Sequence, residues 1–574
     1  MNKPIKYSLI GLGTLVVVGV AGAAIFAATF DPNRYKGDIE RLAKEKTGRT
    51  LKLAGDIKLA FWPSLGADVA GVQFSEKGSD QQFVALDSAH ASVKLMPLLR
   101  GEYIVDSIRL SGVKARIVKG KDGRYNFSDL MGEPAKPAEK KAPAAEKNPV
   151  VFDIASIDIE KASVAYADLA AGQEYSLEDV RLKTGRIAQD AEGKLELAMV
   201  AKRKAPPLEV KLSADGKYQL KGGVLSGDVT AKLDDSTIKT RFTLAEPYEF
   251  DASIDKLNLD RYLGAAEKGP AKPEKPQATA KQEDIPVDLS ALKGINAKGK
   301  LQVGALEVRG LKLAELNAQV QAANGRVAVA PHSAKGYEGT IAGELTVDAN
   351  KNQVVLKEKL TGVSIGPILR DFAGQDRLEG KGDVTVDVTT AGATVNAMKR
   401  ALGGMAKVQL RDGAVKGINL AETIRRARAM FSGGGGGAAQ GETAADKTQK
   451  TDFSELSASF AIKNGVAHNE DLEMKSPLLR IGGAGDIDIG QSRLDYTAKA
   501  SVVATTKGQG GEELERLRGL TIPVRVTGSF DDMRYDVNYR AVAGDAAKSK
   551  VGEKIKERLK DEKLGEKLKG LLGR

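Results

Sequence analysis

The sequence predicts a mainly β protein: an N-terminal transmembrane helix, then an elongated, curled antiparallel sheet forming a hydrophobic groove, with short helices at repeat ends and an amphipathic C-terminal helix. Three observations lead there. Residues Ser8 to Phe30 carry no charged side chain. From Leu51 onward apolar and polar residues alternate, the mark of strands with one apolar and one polar face. A chain of 574 residues also exceeds one ordinary core. It implies about three or four domains, or an extended repeat structure that adds length without enlarging a core.

The N-terminal run, SLIGLGTLVVVGVAGAAIFAATF, reaches roughly 35 Å as a helix at ~1.5 Å per residue, enough for a ~30 Å hydrocarbon layer. Lys3 and Lys6 precede it, which places the N-terminus in the cytoplasm and the bulk across the membrane. A cleaved signal peptide is the competing reading, with Ala21-Gly22-Ala23 as cleavage triplet, but the apolar run is longer than a signal-peptide core. Next, Pro32 suits a first helical turn and Gly48 a stop, with Tyr35, Ile39, Leu42 and Ala43 on one face between them. This amphipathic helix is expected to cap the β region, with the membrane surface as the other resting place. Trp62, in the segment Trp62 to Gly66, is expected as a large buried anchor that packs the first strands.

Alternation is clearest at Ile341, Leu345 and Val347, at Val384, Val386 and Val388, at Ile487 and Ile489, and at Val524 and Val526. Asp122-Gly123, Asn324-Gly325, Asp412-Gly413 and Asn464-Gly465 favour the positive backbone angles of tight hairpin turns. Four times an alternating stretch runs into a helix-like doublet: Val93, Leu95, Leu98, Leu99; Leu257, Leu259, Tyr262, Leu263; Val363, Ile365, Ile368, Leu369; and Ile418, Leu420, Thr423, Ile424. The spacing is irregular, as in interrupted repeats. Residues 131–149 and 264–284, rich in Pro, Ala, Lys and Glu, and 432–450, with glycine from Gly433 to Gly437, read as flexible loops. The chain therefore divides as 1–30 (cytoplasmic N-terminus and anchor), 31–50 (amphipathic helix), 51–130 (first β region), 131–149 (linker), 150–263 (middle β region), 264–284 (linker), 285–431 (third β region), 432–450 (Gly-rich loop), 451–540 (last β region) and 541–574 (basic amphipathic helix). In that last helix Val551, Ile555, Leu559 and Leu568 are the candidate membrane-surface residues.

Several chemistries are excluded or disfavoured. Without cysteine there are no disulfides, zinc–thiolate sites, iron–sulfur clusters or Cys nucleophiles. His90, His332 and His468 are far apart and HExxH is absent. No Gly-x-Ser-x-Gly elbow occurs, and the neighbouring carboxylates Asp531-Asp532 and Glu512-Glu513 suit solvated loops. No catalytic residue, metal site or cofactor is expected, and the chain is read as not an enzyme. Net charge is +11, but from Lys548 to Arg574 ten Lys/Arg face five Asp/Glu, so the body is only mildly basic and no nucleic-acid partner is expected.

Gly48 to Val72, GRTLKLAGDIKLAFWPSLGADVAGV, resembles the N-terminal signature of the AsmA family. Residues 93–127, 410–428 (LRDGAVKGINLAETIRRAR) and 451–489 resemble further blocks of it; residues 190–290 and those after Asn538 are less characteristic. The resemblance implies a protein of the bacterial inner membrane, single-pass, with its bulk in the periplasm, serving outer-membrane lipid homeostasis and assembly. Larger relatives resemble bridge-like lipid carriers with a hydrophobic β-groove. The expected partners are therefore the membrane, a phospholipid or other acyl lipid, and outer-membrane assembly components. Ile341, Leu345, Val347, Val384, Val386, Val388, Ile487, Ile489, Val524 and Val526 are the candidate groove lining. The alternative is a non-catalytic factor that assists outer-membrane protein assembly or tethers envelope components.

Overall fold

The computed structural model describes residues 31–98, 100, 104–130, 153–263, 284–423, 443–444, 446–503, 521–530 and 532–537. The expected anchor, most of the three loops and the C-terminal helix with Val551, Ile555, Leu559 and Leu568 lie outside these residues. No helix among the described residues is long and apolar enough to cross a membrane. The protein is mainly β, as the alternation predicts, and divides into two compact units, Met1–Lys256 and Leu257–Arg574.

In the first unit the chain enters through a short helical turn, Pro32–Tyr35, capped by the Asp31 side chain, and continues as the helix Lys36–Thr47. Gly48, at φ 69°, ends it, as expected of a glycine that can adopt the left-handed conformation. The helix lies antiparallel to the first strand segments: Asn33 pairs with the backbone of Ile57, Lys36 Nζ lies 3.2 Å from Asp56, and Glu40 accepts from the Leu53 amide at 2.8 Å. It therefore presents its polar side to the sheet, while Tyr35, Ile39 and Leu42 are exposed. Three polar anchors, rather than the apolar face, fix the helix on the first strand segments.

Arg49 follows and is completely buried. Its guanidinium donates to Asp129 (Nε to Oδ2, 3.0 Å; Nη2 to Oδ1, 2.5 Å) and to the carbonyls of Ser75 and Asn126, and lies over the rings of Phe74 and Phe83. Every face of the cation is thus satisfied, as a buried charge requires. The Arg49 contact in turn holds Asp129 below the usual carboxylate range.

The sheet of this unit is mixed, not purely antiparallel. Val105–Ser111 and Lys114–Lys119 both pair in parallel with Ile157–Asp168, Ile108 opposite Ile157 and Lys114 opposite Ser163. From there the strands Gln173–Thr184, Glu192–Arg203, Leu208–Lys221, Val224–Leu233, Ser236–Leu244 and Tyr248–Asn258 form an antiparallel meander.

The second unit is antiparallel throughout its described pairings, from Ala297–Val308 to Met533–Val537. Asn324-Gly325 and Asn464-Gly465 make the expected tight turns, all four residues at positive φ. Asp412-Gly413 does not. It lies inside the strand Gly403–Gly417, where the register against Leu378–Ala391 shifts by a residue. This is a bulge: a Cβ on Gly413 would meet the Glu379 carbonyl at 2.1 Å and the Phe453 ring at 2.5 Å, so glycine leaves room for buried Phe453. The strand-to-helix doublets fold as short helices at Leu95–Leu98, Asp260–Leu263 and Ile365–Ala373, and as a helical turn over 420–423. The Gly-rich loop is shorter than expected, because Asp446–Lys463 is already strand.

Candidate functional site: a one-sided apolar sheet face

Directly opposed residues of neighbouring strands share a face, so registers trace rows across each sheet. In the first unit one row runs Ile159, Leu182, Leu197, Ala214, Ala231, Ile238, Ile254. A second runs Gly193, Tyr218, Gly227, Phe242, Phe250. Between these rows the other face carries Lys217, Asp228, Arg241 and Asp251, with Arg241 Nε 2.9 Å from Asp228. From Glu192 to Asn258 most apolar residues are half-buried and the intervening polar ones mostly exposed; Leu244 and Tyr248 are exposed, and Tyr218 alone among the large apolar side chains is fully buried. It lies against Gly193, where a Cβ would approach its ring to 2.2 Å, and its hydroxyl donates to the Gly185 carbonyl.

In the second unit the row through Leu345 is Val320, Val329, Leu345, Leu356, Val388, Gly404, Ile462, Ala467, Ile487, Leu494. It joins three of the sequence-derived lining residues. Ile341 and Val384 meet through Leu360, and Val347 opposes Val354. Ile341, Leu345, Val347, Val386, Val388, Ile487, Ile489 and Val526 are half-buried. Val384 and Val524 are fully buried in a closed cluster with Leu410, Phe453, Leu456, Leu479, Ile481 and Ile522, against which Val386 and Val526 pack. Ile368 and Leu369 of the helix Ile365–Ala373 pack on that cluster, as does the turn at Ile418–Leu420, held by Thr451: its hydroxyl accepts from the Leu420 amide and donates to the Ile418 carbonyl. The same face is thus covered near the C-terminal strands and more open at Ala297–Ser364, where Val303 and Val363 are buried but most of the large apolar residues are half-buried.

A charged pair interrupts the half-buried part. One row reads His332, Gly343, Glu358, Val386, Ala406. His332 Nε2 lies 2.8 Å from Glu358 Oε1, and its Nδ1 lies 3.1 Å from the Val329 carbonyl. A carbonyl and a carboxylate both accept, so this geometry favours the doubly protonated ring. The Glu358 contact holds its pKa above the ordinary histidine value, against the opposing effect of burial. Glu358 Oε2 is buried and makes no hydrogen bond. Gly343 gives the carboxylate its room, since a Cβ there would sit 2.7 Å from Oε2.

Sequence reasoning missed this pair and all the rows of the first unit. The signal for the latter was present in the alternation of KLELAMVAK and LEVKLSADGKYQL. Trp62, expected as a buried anchor, is 71% exposed. No group of acidic or histidine side chains among the described residues has metal-binding geometry.

Fold and face together define a class: large one-sided β-sheet proteins whose distinctive surface is an extended apolar face. The AsmA family model matches residues 1–228 and 225–472, and the chain belongs to the AsmA family. It is 22% identical over 618 aligned positions to Protein AsmA of Escherichia coli (strain K12), covering 97% of this chain and 98% of that one. No solved structure matches significantly.

Proposed function

We propose that this is a non-catalytic envelope protein, anchored in the inner membrane by Ser8–Phe30, that serves outer-membrane lipid homeostasis by holding phospholipid acyl chains along its apolar faces. One observation carries the reading: a row of apolar side chains, Ile159 to Ile254, extends over seven strands in the first unit while remaining only half-buried. Such a face gains by covering, at ~0.8 kcal/mol for each methylene removed from water. Acyl chains suit it because contact with Leu, Ile and Val is non-directional and lets a chain slide. In the second unit the part assigned to lipid is Ile341, Leu345, Val347 and Val388, while Val384 and Val524 belong to the closed cluster. Family membership supports the envelope setting.

The test is photo-crosslinking in cells from a reactive residue at Leu345, Leu197 or Val524, followed by lipid analysis of the purified full chain. Phospholipid adducts are expected from Leu345 and Leu197 and not from Val524. Adducts to protein alone, with no co-purifying phospholipid, would favour the assembly-factor alternative and end the acyl-chain reading.

A further inference from the structure

Trp62 and Met96 are the two most exposed large apolar side chains of the first unit's initial strands, at 71% and 57%. They lie at the same end of those strands. Trp62 follows Ile57–Ala60 and precedes Ser64–Ser75; Met96 sits in the helical turn Leu95–Leu98 that ends Gln82–Lys94; and Ser64 opposes Lys94. Lys94 and Arg100 are exposed there as well.

The entry of the chain gives this end a direction. The helix Lys36–Thr47 runs antiparallel to the segment from Thr50 to Ile57, with Asn33 bonded to Ile57 and Gly48 bonded to Gly78 at the far end. Its N-terminal end, just after the apolar run Ser8–Phe30, therefore faces the end that carries Trp62. From Ile57 to Trp62 is five residues, at most about 16 Å of extended chain. An amphipathic indole, a flexible thioether and two cations on long stems, at the strand end nearest the start of the helix Lys36–Thr47, have the composition of a membrane-interface belt.

We propose that Trp62, Met96, Lys94 and Arg100 form a docking surface for the lipid headgroup layer next to the anchor, with Trp62 and Met96 entering the interface and the two cations meeting anionic headgroups. This rests on the reading of Ser8–Phe30 as the anchor. The surface seats the first strands on the bilayer, so that the half-buried apolar face begins at the membrane rather than above it.

Trp62 is the only tryptophan of the chain, so its fluorescence reports this one position. The full chain is reconstituted in phosphatidylcholine–phosphatidylglycerol vesicles, and flotation establishes that it is membrane-held. Lipids brominated on the upper acyl chain are expected to quench the emission about twofold or more, and acrylamide access is expected to fall relative to the protein in detergent, as for an interfacial indole. The exposed double variant Lys94→Gln/Arg100→Gln is expected to lose part of the quenching, as is Met96→Ser. A chain that floats while its tryptophan stays unquenched and open to acrylamide overturns the docking surface and leaves the anchor standing. A chain that does not float overturns both.

Discussion

The stretch from Glu192 to Asn258 and the stretch from Leu378 to Val537 share one sequence pattern and differ in what lies on it. Both alternate apolar and polar residues, and both build antiparallel rows of apolar side chains. In the first stretch those rows stay half-buried apart from the position of Tyr218, and Leu197, Leu212 and Ile238 keep part of their surface open. In the second, the helix Ile365–Ala373 and the turn around Leu420 lie on the rows, and Leu410, Leu479, Ile522 and Val524 are almost wholly buried. Period two therefore says which side of a strand is apolar. Whether that side is covered depends on segments elsewhere in the chain.

The largest effect is expected at the closed place of the first unit. Arg49→Met leaves the Asp129 and Glu76 carboxylates and the Ser75 and Asn126 carbonyls without the cation they share, at a cost of about 3–5 kcal/mol. Urea unfolding reports the loss. The double variant Arg49→Met/Asp129→Leu should recover part of it; a single variant as stable as the parent would show that this corner is not held by the pair. Next come matched truncations that set the two sheet stretches against each other. Leu410→Ala in the closed cluster should cost about 2–5 kcal/mol, because it leaves a cavity. Leu212→Ala on the half-buried face should cost about 1 kcal/mol, since solvent already reaches the site. Hydrogen exchange at the flanking strands measures both, and equal costs would break the distinction between covered and uncovered rows.

The smallest effect is in pH. His332 is more basic in the folded chain than when free, because Glu358 holds its charged form. The stabilisation is fully present below the ordinary histidine pKa, near 6.5, and is lost as pH rises through the raised folded value. Thermal stability should therefore fall as pH rises from mildly acidic values, and His332→Gln should flatten that slope. His468 is also raised, by Glu470 and Asp486, but it is exposed, so His468→Gln should alter the slope less.

Much of this was legible from residues that act locally. The strands around Leu345, Val386 and Val526 followed from their neighbours two positions away, and Asn324-Gly325 and Asn464-Gly465 followed from backbone sterics. The rest depends on distant partners. Asp412-Gly413 has turn chemistry but spends its positive φ on a bulge, because Phe453, forty residues on, needs the space. Trp62 reads as a core residue by type, yet among the described residues it is left 71% exposed at its strand end. The parallel pairing of Lys114–Lys119 with Ser163–Asp168 spans a linker that carries no pairing signal. His332 and Glu358 are twenty-six positions apart, and only the registers through Gly343 bring them together.

The meander of the second unit has one further implication, for evolution. Because each strand from Ala297 to Ser364 pairs with the next one along the chain, a hairpin can be gained or lost by a single local insertion or deletion. Each such event would lengthen or shorten this ladder by about 10 Å and leave the remaining rungs in register. Relatives of one lineage can thus differ in the length of this ladder in two-strand increments, with no new fold to invent.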